Sequence, residues 1–166
     1  MPRQTLIGVG YVRRSQDSGT GVSEELQDDD VQRVCEDLGI ELRFPLDPDL
    51  DQSSFTLERP SFTQALALLN SRRANRLIVS RLDRLTRRRL HWEQVLEQAE
   101  ANGWCPVSTE WPDLDLLSDE GRRRAGYAID DAEQDYRRKR KGFNRTRQAA
   151  FSARDFVLPE VLLQGA

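Results

Sequence analysis

Four places in this chain hold residues whose types and spacing could act on a phosphate ester. The first is Tyr11-Val12-Arg13-Arg14-Ser15. In an extended segment side chains alternate, so Arg13 and Ser15 point the same way. Taken alone, a serine after a strand is a turn residue. The second is Arg81-Leu82-Asp83-Arg84-Leu85-Thr86-Arg87. Arg84 and Arg87 are three apart, so one helical turn puts them on one side, with Asp83 as a carboxylate beside them. A solvated basic helix start would look the same. Gln27 lies one turn before Val31, near the start of a helix and on its inward stripe, where a polar group needs a partner or a ligand. A satisfied structural amide is the equal alternative. Arg59 precedes Pro60 at the positive end of another helix, where a cation is unfavourable unless an anion is present. Its bland reading is an exposed surface arginine.

The charge distribution supports an anionic ligand. The 166 residues carry 25 Lys and Arg against 28 Asp and Glu, a formal net charge of -3, so the surface is not uniformly basic. Residues 24–58 are acidic, opposed only by Arg33 and Arg43. Residues 72–89 hold eight arginines against Asp83 alone, and residues 137–147 form a second basic block. Lys139 and Lys141 are the only lysines, and the arginine fork grips phosphate oxygens in pairs. A basic zone on an acidic protein predicts a localised anionic partner. Cys35 and Cys105 form no CxxC pair and read as reduced thiols. With one histidine, His91, no zinc-ligand pattern can be assembled, and no metal or cofactor is expected. His91 is placed at the solvent-facing start of a helix. No stretch approaches the roughly 18 apolar residues of a membrane span, and the N-terminus lacks a signal-peptide run.

The elements that must position these residues alternate. Leu6 to Val12 reads as a buried strand, and Ser23 as the N-cap of a helix whose inward stripe is Val31, Val34, Cys35 and Leu38, stopped by Gly39. Ile40 to Phe44 is a second strand, and residues 45–58 an exposed loop. Pro60 opens a helix with Phe62, Ala65, Leu66 and Leu69 inward. Leu77 to Val79 is a third strand. The helix after it has Trp92, Val95, Leu96 and Ala99 on one face and Gly103 as its stop, and Cys105 to Thr109 is a fourth strand. This βαβαβαβ order predicts an α/β fold: a mostly parallel central sheet with helices on both faces. Arg13, Ser15 and the Asp83–Arg87 segment then share the carboxyl rim of the sheet, where such folds place ligands. The expected organisation is a catalytic domain over 1–120, a long charged helix over 121–155 and an unassigned tail, 156–166. The helix carries a thin apolar stripe of Ala125, Ile129, Ala132 and Tyr136, which needs a partner to cover it.

The ordered segments Tyr-Val-Arg-Arg-Ser, Ser-Glu-Glu-Leu-Gln, Ser-Ser-Phe-Thr-Leu-Glu-Arg-Pro and Arg-Leu-Asp-Arg-Leu-Thr-Arg resemble those of the serine site-specific recombinases, over about residues 5 to 140. That family includes resolvases, invertases and the large serine integrases. The resemblance implies that Ser15 is the nucleophile, that Arg13, Arg84 and Arg87 surround the phosphate, and that Gln27, Arg59 and Asp83 complete the site. It also implies a 5′-phosphoserine intermediate, with strands rejoined without metal or ATP. Asp83 would either donate or position the proton for the leaving 3′-oxygen, or only hold Arg84 or Arg87 in place. Double-stranded DNA is the implied partner, with a homodimer pairing to a tetramer during strand exchange. Asp130 to Arg140 resembles the start of the family's long helix, with Arg137, Arg138, Arg140 and Lys141 as the expected DNA contacts. A cytoplasmic protein of bacterial, phage or mobile-element origin follows.

Three departures qualify the match. Ser53-Ser54 stands where the family has Ser-Gly, Asp135-Tyr136 where it has Glu-Arg, and nothing after the long helix resembles a sequence-reading DNA-binding domain. The expectation is a catalytic domain whose target choice resides elsewhere. The rival is a catalytically inactive recombinase-like module for oligomerisation or regulation. A signal-receiver domain would need an acidic cluster at the strand ends, where this chain is basic.

Overall fold

The structure is a computed structural model that describes residues 5–14, 24–47, 49–50 and 57–155. Ser15, Ser23, Ser53 and Ser54 lie outside the described residues, as does the tail after 155.

The elements are β1 (Leu6–Tyr11), β2 (Arg13–Arg14), α1 (Glu24–Asp37), β3 (Ile40–Pro45), β4 (Asp49–Leu50), α2 (Pro60–Asn70), β5 (Arg76–Val79), α3 (Leu82–Leu85), α4 (Arg89–Asn102), β6 (Cys105–Ser108) and α5 (Asp119–Asp155). The main sheet has the order β3-β1-β5-β6, with every pairing parallel. A two-stranded parallel pair, β2 with β4, sets Arg13 opposite Asp49. This agrees with the expected parallel sheet and adds two short strands that composition did not reveal.

Helices cover both faces because the strands are apolar on both. Val9, Tyr11, Leu77 and Val79 face one way, into a core with Phe62, Ala65 and Leu69 of α2, Trp92, Val95, Leu96 and Ala99 of α4, and Ala125 and Ile129 of α5. Ile78 and Val107 face the other way, onto Val31, Val34 and Cys35 of α1. Gly8 and Gly10 of β1 lie on that second face. A Cβ at Gly8 would sit 2.7 Å from Ile78 Cδ1 and 2.9 Å from Ile40 Cγ2, so the absence of a side chain is what lets these residues close over the strand.

Gly39 (φ 64°) and Gly103 (φ 75°) follow α1 and α4 in the left-handed region, as expected of their stop positions. Cys35 is buried, Cys105 half-buried, and both are free thiols. The segment after β5 differs from the single helix expected. Thr86 and Arg88 have extended backbones, which separates a four-residue helix, α3, from α4. The chain divides into two units, residues 1–132 and 133–166. In the first, Ser118 caps the start of α5, its Oγ accepting the Gly121 amide at 3.0 Å. In the second, the helix carries Glu133–Arg137 (2.6 Å) and Asp135–Arg138 (3.6 Å) pairs along its own surface. No described helix is long and apolar enough to cross a membrane.

Candidate active site

The site forms at the carboxyl rim because the parallel strands all end there. Arg13 follows β1, Asp49 follows β3, and α3 follows β5. Arg13 is 4% exposed, and its Nε donates to the main-chain oxygen of Arg84 at 3.1 Å. Burial lowers its pKa to about 10, and repulsion from Arg87 and then Arg84 adds to the effect. The Arg13 hydrogen bond to the Arg84 main chain brings together positions 71 residues apart in sequence. An anion there would relieve both penalties. Arg84 and Arg87 are half-buried.

Arg59 is not the exposed surface arginine of the bland reading. It is 1% exposed. Its Nη1 donates to Arg84 O at 3.3 Å and its Nη2 to Leu85 O. Its Cζ lies 5.1 Å from the Tyr11 ring centre and 5.2 Å from that of Phe62, and these two rings meet edge to face at 5.4 Å. Burial lowers its pKa.

Among the described residues, the ion pair of Asp83 is with Arg81. Arg81 Nε donates to Asp83 Oδ1 at 2.9 Å and lies 3.8 Å from Glu110 Oε1. Asp83 first raises the Arg81 pKa, while burial raises that of Glu110. Gln27 belongs to α1 by its backbone, and its side chain lies outside what is described, as does Ser15 entirely.

Two residues of this neighbourhood escaped the sequence reading. Asp49 was assigned to an exposed loop, yet it is 4% exposed. It accepts the Tyr11 hydroxyl at 2.9 Å, the Ser61 amide at 2.9 Å and the Phe62 amide at 3.3 Å. It thus satisfies the first turn of α2, which Arg59, at the N-cap position, does not. Tyr11 was read only as a strand residue. Burial, the largest cause, raises its pKa well above the ordinary tyrosine range. His91 is half-buried rather than solvent-facing, and its Nδ1 has no hydrogen-bond partner among the described residues. Its pKa is lowered by burial first and then by Arg88 and Arg59.

The four-stranded parallel sheet, its flanking helices and the basic rim define a resolvase-like α/β domain. Solved structures share the fold. The N-terminal catalytic domain of TP901-1 integrase is 22% identical, with a TM-score of 0.61 over 80% of this chain and 97% of that one. A resolvase family site-specific recombinase from Streptococcus pneumoniae is 17% identical, with a TM-score of 0.58 over 88% and 99%. The C-terminal catalytic domain of ISC1926 TnpA, an IS607-like serine recombinase, is 21% identical, with a TM-score of 0.53 over 62% and 69%. No curated protein matches the chain. Residues 8–151 match the family Resolvase, N terminal domain, and the chain belongs to that family of serine recombinase catalytic domains.

Proposed function

We propose that this chain is the catalytic domain of a site-specific DNA recombinase, with Ser15 as nucleophile. The observation that carries the reading is the seating of Arg13, two residues before Ser15 in the chain, against the Arg84 main chain at 3.1 Å. The Ser15 Oγ attacks the scissile phosphorus as its proton leaves. The P–O3′ bond breaks, and the departing oxygen takes a proton to become a free 3′-hydroxyl. The new 5′-phosphoserine ester conserves the bond energy, so the reverse attack by a 3′-hydroxyl rejoins the strands without metal or ATP.

A serine hydroxyl is a weak nucleophile without activation. The guanidinium groups of Arg13, Arg84 and Arg87 favour its alkoxide and stabilise the extra negative charge of the pentacoordinate transition state. Removing one such donor costs on the order of 2.7–4 kcal/mol in activation free energy. Asp83, held by Arg81 through one carboxylate oxygen, would position a solvent proton for the leaving 3′-oxygen. Gln27 and Arg59 complete the set. Double-stranded DNA is the substrate and partner. Arg137, Arg138, Arg140 and Lys141, all exposed, are the proposed backbone contacts, and pairs of dimers the working assembly. The exposed Leu90 and Tyr127 of the first unit supply apolar surface for such contacts.

Nicked duplexes that release the cut end trap the covalent complex and test the reading. Ser15→Ala is expected to abolish it while the circular dichroism spectrum is retained. Arg84→Ala and Arg87→Ala should each slow its formation about 100-fold or more. A covalent adduct formed by Ser15→Ala would sink the assignment.

A further inference from the structure

We propose that Arg59 is a positioning residue: it holds the main chain of residues 84 and 85, and through it Arg84 and Arg87, without touching DNA. The inference rests on the recombinase reading for the roles of Arg84 and Arg87. For Arg59 itself it rests on geometry alone.

Helix α3 has only four residues, so it cannot satisfy its own carbonyls. The last four carbonyls of any helix lack intrahelical partners. Of α3's carbonyls, that of Leu82 accepts the Thr86 amide at 2.9 Å. Those of Arg84 and Leu85 are met instead by the two arms of Arg59, and that of Arg84 also by Arg13. Both terminal nitrogens of Arg59 therefore point into the protein, at the carbonyls that lead into the Thr86–Arg88 segment. Both arms of the guanidinium are turned inward at 1% exposure, and only its buried Nε is without a hydrogen-bond partner among the described residues. Arg84 and Arg87, by contrast, retain exposed surface.

The charge of Arg59 is also explained without an external anion. Its backbone stands at the positive end of α2, but its guanidinium lies on the negative, carbonyl end of α3, where a cation is favourable. The Tyr11 and Phe62 rings hold its plane. Asp49 fixes both supports at once, since it binds the Tyr11 hydroxyl and the amides of Ser61 and Phe62. The result is a strut, 25 residues before Arg84 in the chain, that sets the height of the arginine segment above the rim.

Two measurements test this. The first uses the unaltered protein. Phenylglyoxal modification, mapped by mass spectrometry with and without duplex DNA at low salt, should leave Arg59 unmodified in both conditions. Arg84 and Arg87 should react in the free protein and be protected by DNA. Modification of Arg59 that DNA suppresses would overturn the proposal. Unprotected Arg84 and Arg87 beside an unreactive Arg59 would instead sink the recombinase reading, so the two failures are told apart.

The second compares Arg59→Lys with the parent chain. Lysine keeps the charge but cannot bridge two carbonyls. Covalent-complex formation is expected to slow at least tenfold, with the salt dependence of DNA binding unchanged. The charge-removing Arg59→Gln reads phosphate contact separately, since loss of a cation that neutralises a phosphate would lower the salt slope of DNA binding by about one. A parent-like rate in Arg59→Lys, or a slope lowered by one in Arg59→Gln, would overturn the strut.

Discussion

Replacing Asp49 should be among the most damaging single changes in the first unit. Its carboxylate accepts three hydrogen bonds: one from the Tyr11 hydroxyl and two from the opening amides of α2. Hydrogen bonds to a charged group contribute about 1.5–3 kcal/mol each, and a buried donor left without a partner costs about 1–3 kcal/mol. The two amides can regain partial solvation at a helix start, so the three terms do not add in full. Asp49→Ala should therefore cost about 3–5 kcal/mol, in the range for breaking a buried charged network. Asp49→Asn keeps one acceptor oxygen but turns an amide NH2 towards either Ser61 or Phe62, and should cost about half as much. Tyr11→Phe removes one donor and leaves the carboxylate two amides, for about 1–1.5 kcal/mol. The assay is urea unfolding followed by circular dichroism, with equal m-values required so that midpoints report stability. The predicted order of loss is Tyr11→Phe, then Asp49→Asn, then Asp49→Ala. A loss below about 1 kcal/mol for Asp49→Ala would refute the three-bond cap, because that is the cost of an ordinary surface N-cap.

The same unfolding assay separates two glycines. A Cβ at Gly121 would run into the carbonyl oxygen of Asp115 and the Cα of Leu116, which are backbone, so Gly121→Ala should cost about 3 kcal/mol or more. Gly8→Ala meets side chains instead, Ile78 Cδ1, which can turn, and Ile40 Cγ2, which is fixed on its Cβ, and should cost about 1–2 kcal/mol. For His91, whose folded pKa is lowered, the unfolded chain binds the proton first. Its contribution is therefore complete above the unfolded value of about 6.5 and is lost as pH falls towards the folded value. Melting temperatures from pH 8 to 5 should fall more steeply for the parent than for His91→Gln, and parallel curves would contradict the placement of His91.

The architecture was legible because apolar runs and stop signals alternate along the chain. Leu77-Ile78-Val79 is apolar on both faces, as a central parallel strand must be, and Gly39 and Gly103 mark their helix ends by backbone conformation. The break between α3 and α4 was not legible. Thr86 and Arg88 adopt extended backbone without a proline or glycine to announce it, and the Thr86 hydroxyl that accepts the Arg88 amide is a local signal too common to read. Asp49 was misread for a different reason. Its neighbours, Asp47, Pro48 and Asp51, have loop composition, while its partners lie 12 to 38 residues away in sequence. The sequence singled out Arg59 and Asp83 but could not say what they touch. Arg59 reaches carbonyls rather than an anion, and Asp83 reaches Arg81, two residues back along the chain.

The central claim concerns Ser15, and mass spectrometry of a trapped complex tests it most directly. The chain is incubated with a nicked duplex, the DNA is digested to its terminal nucleotide, and the adducted tryptic peptide is sequenced. The account predicts a single adduct on Ser15, joined through phosphate to the 5′-oxygen of a nucleotide, with the opposing DNA end a free 3′-hydroxyl. An adduct on any other residue, or cleaved DNA with no protein attached, would contradict it.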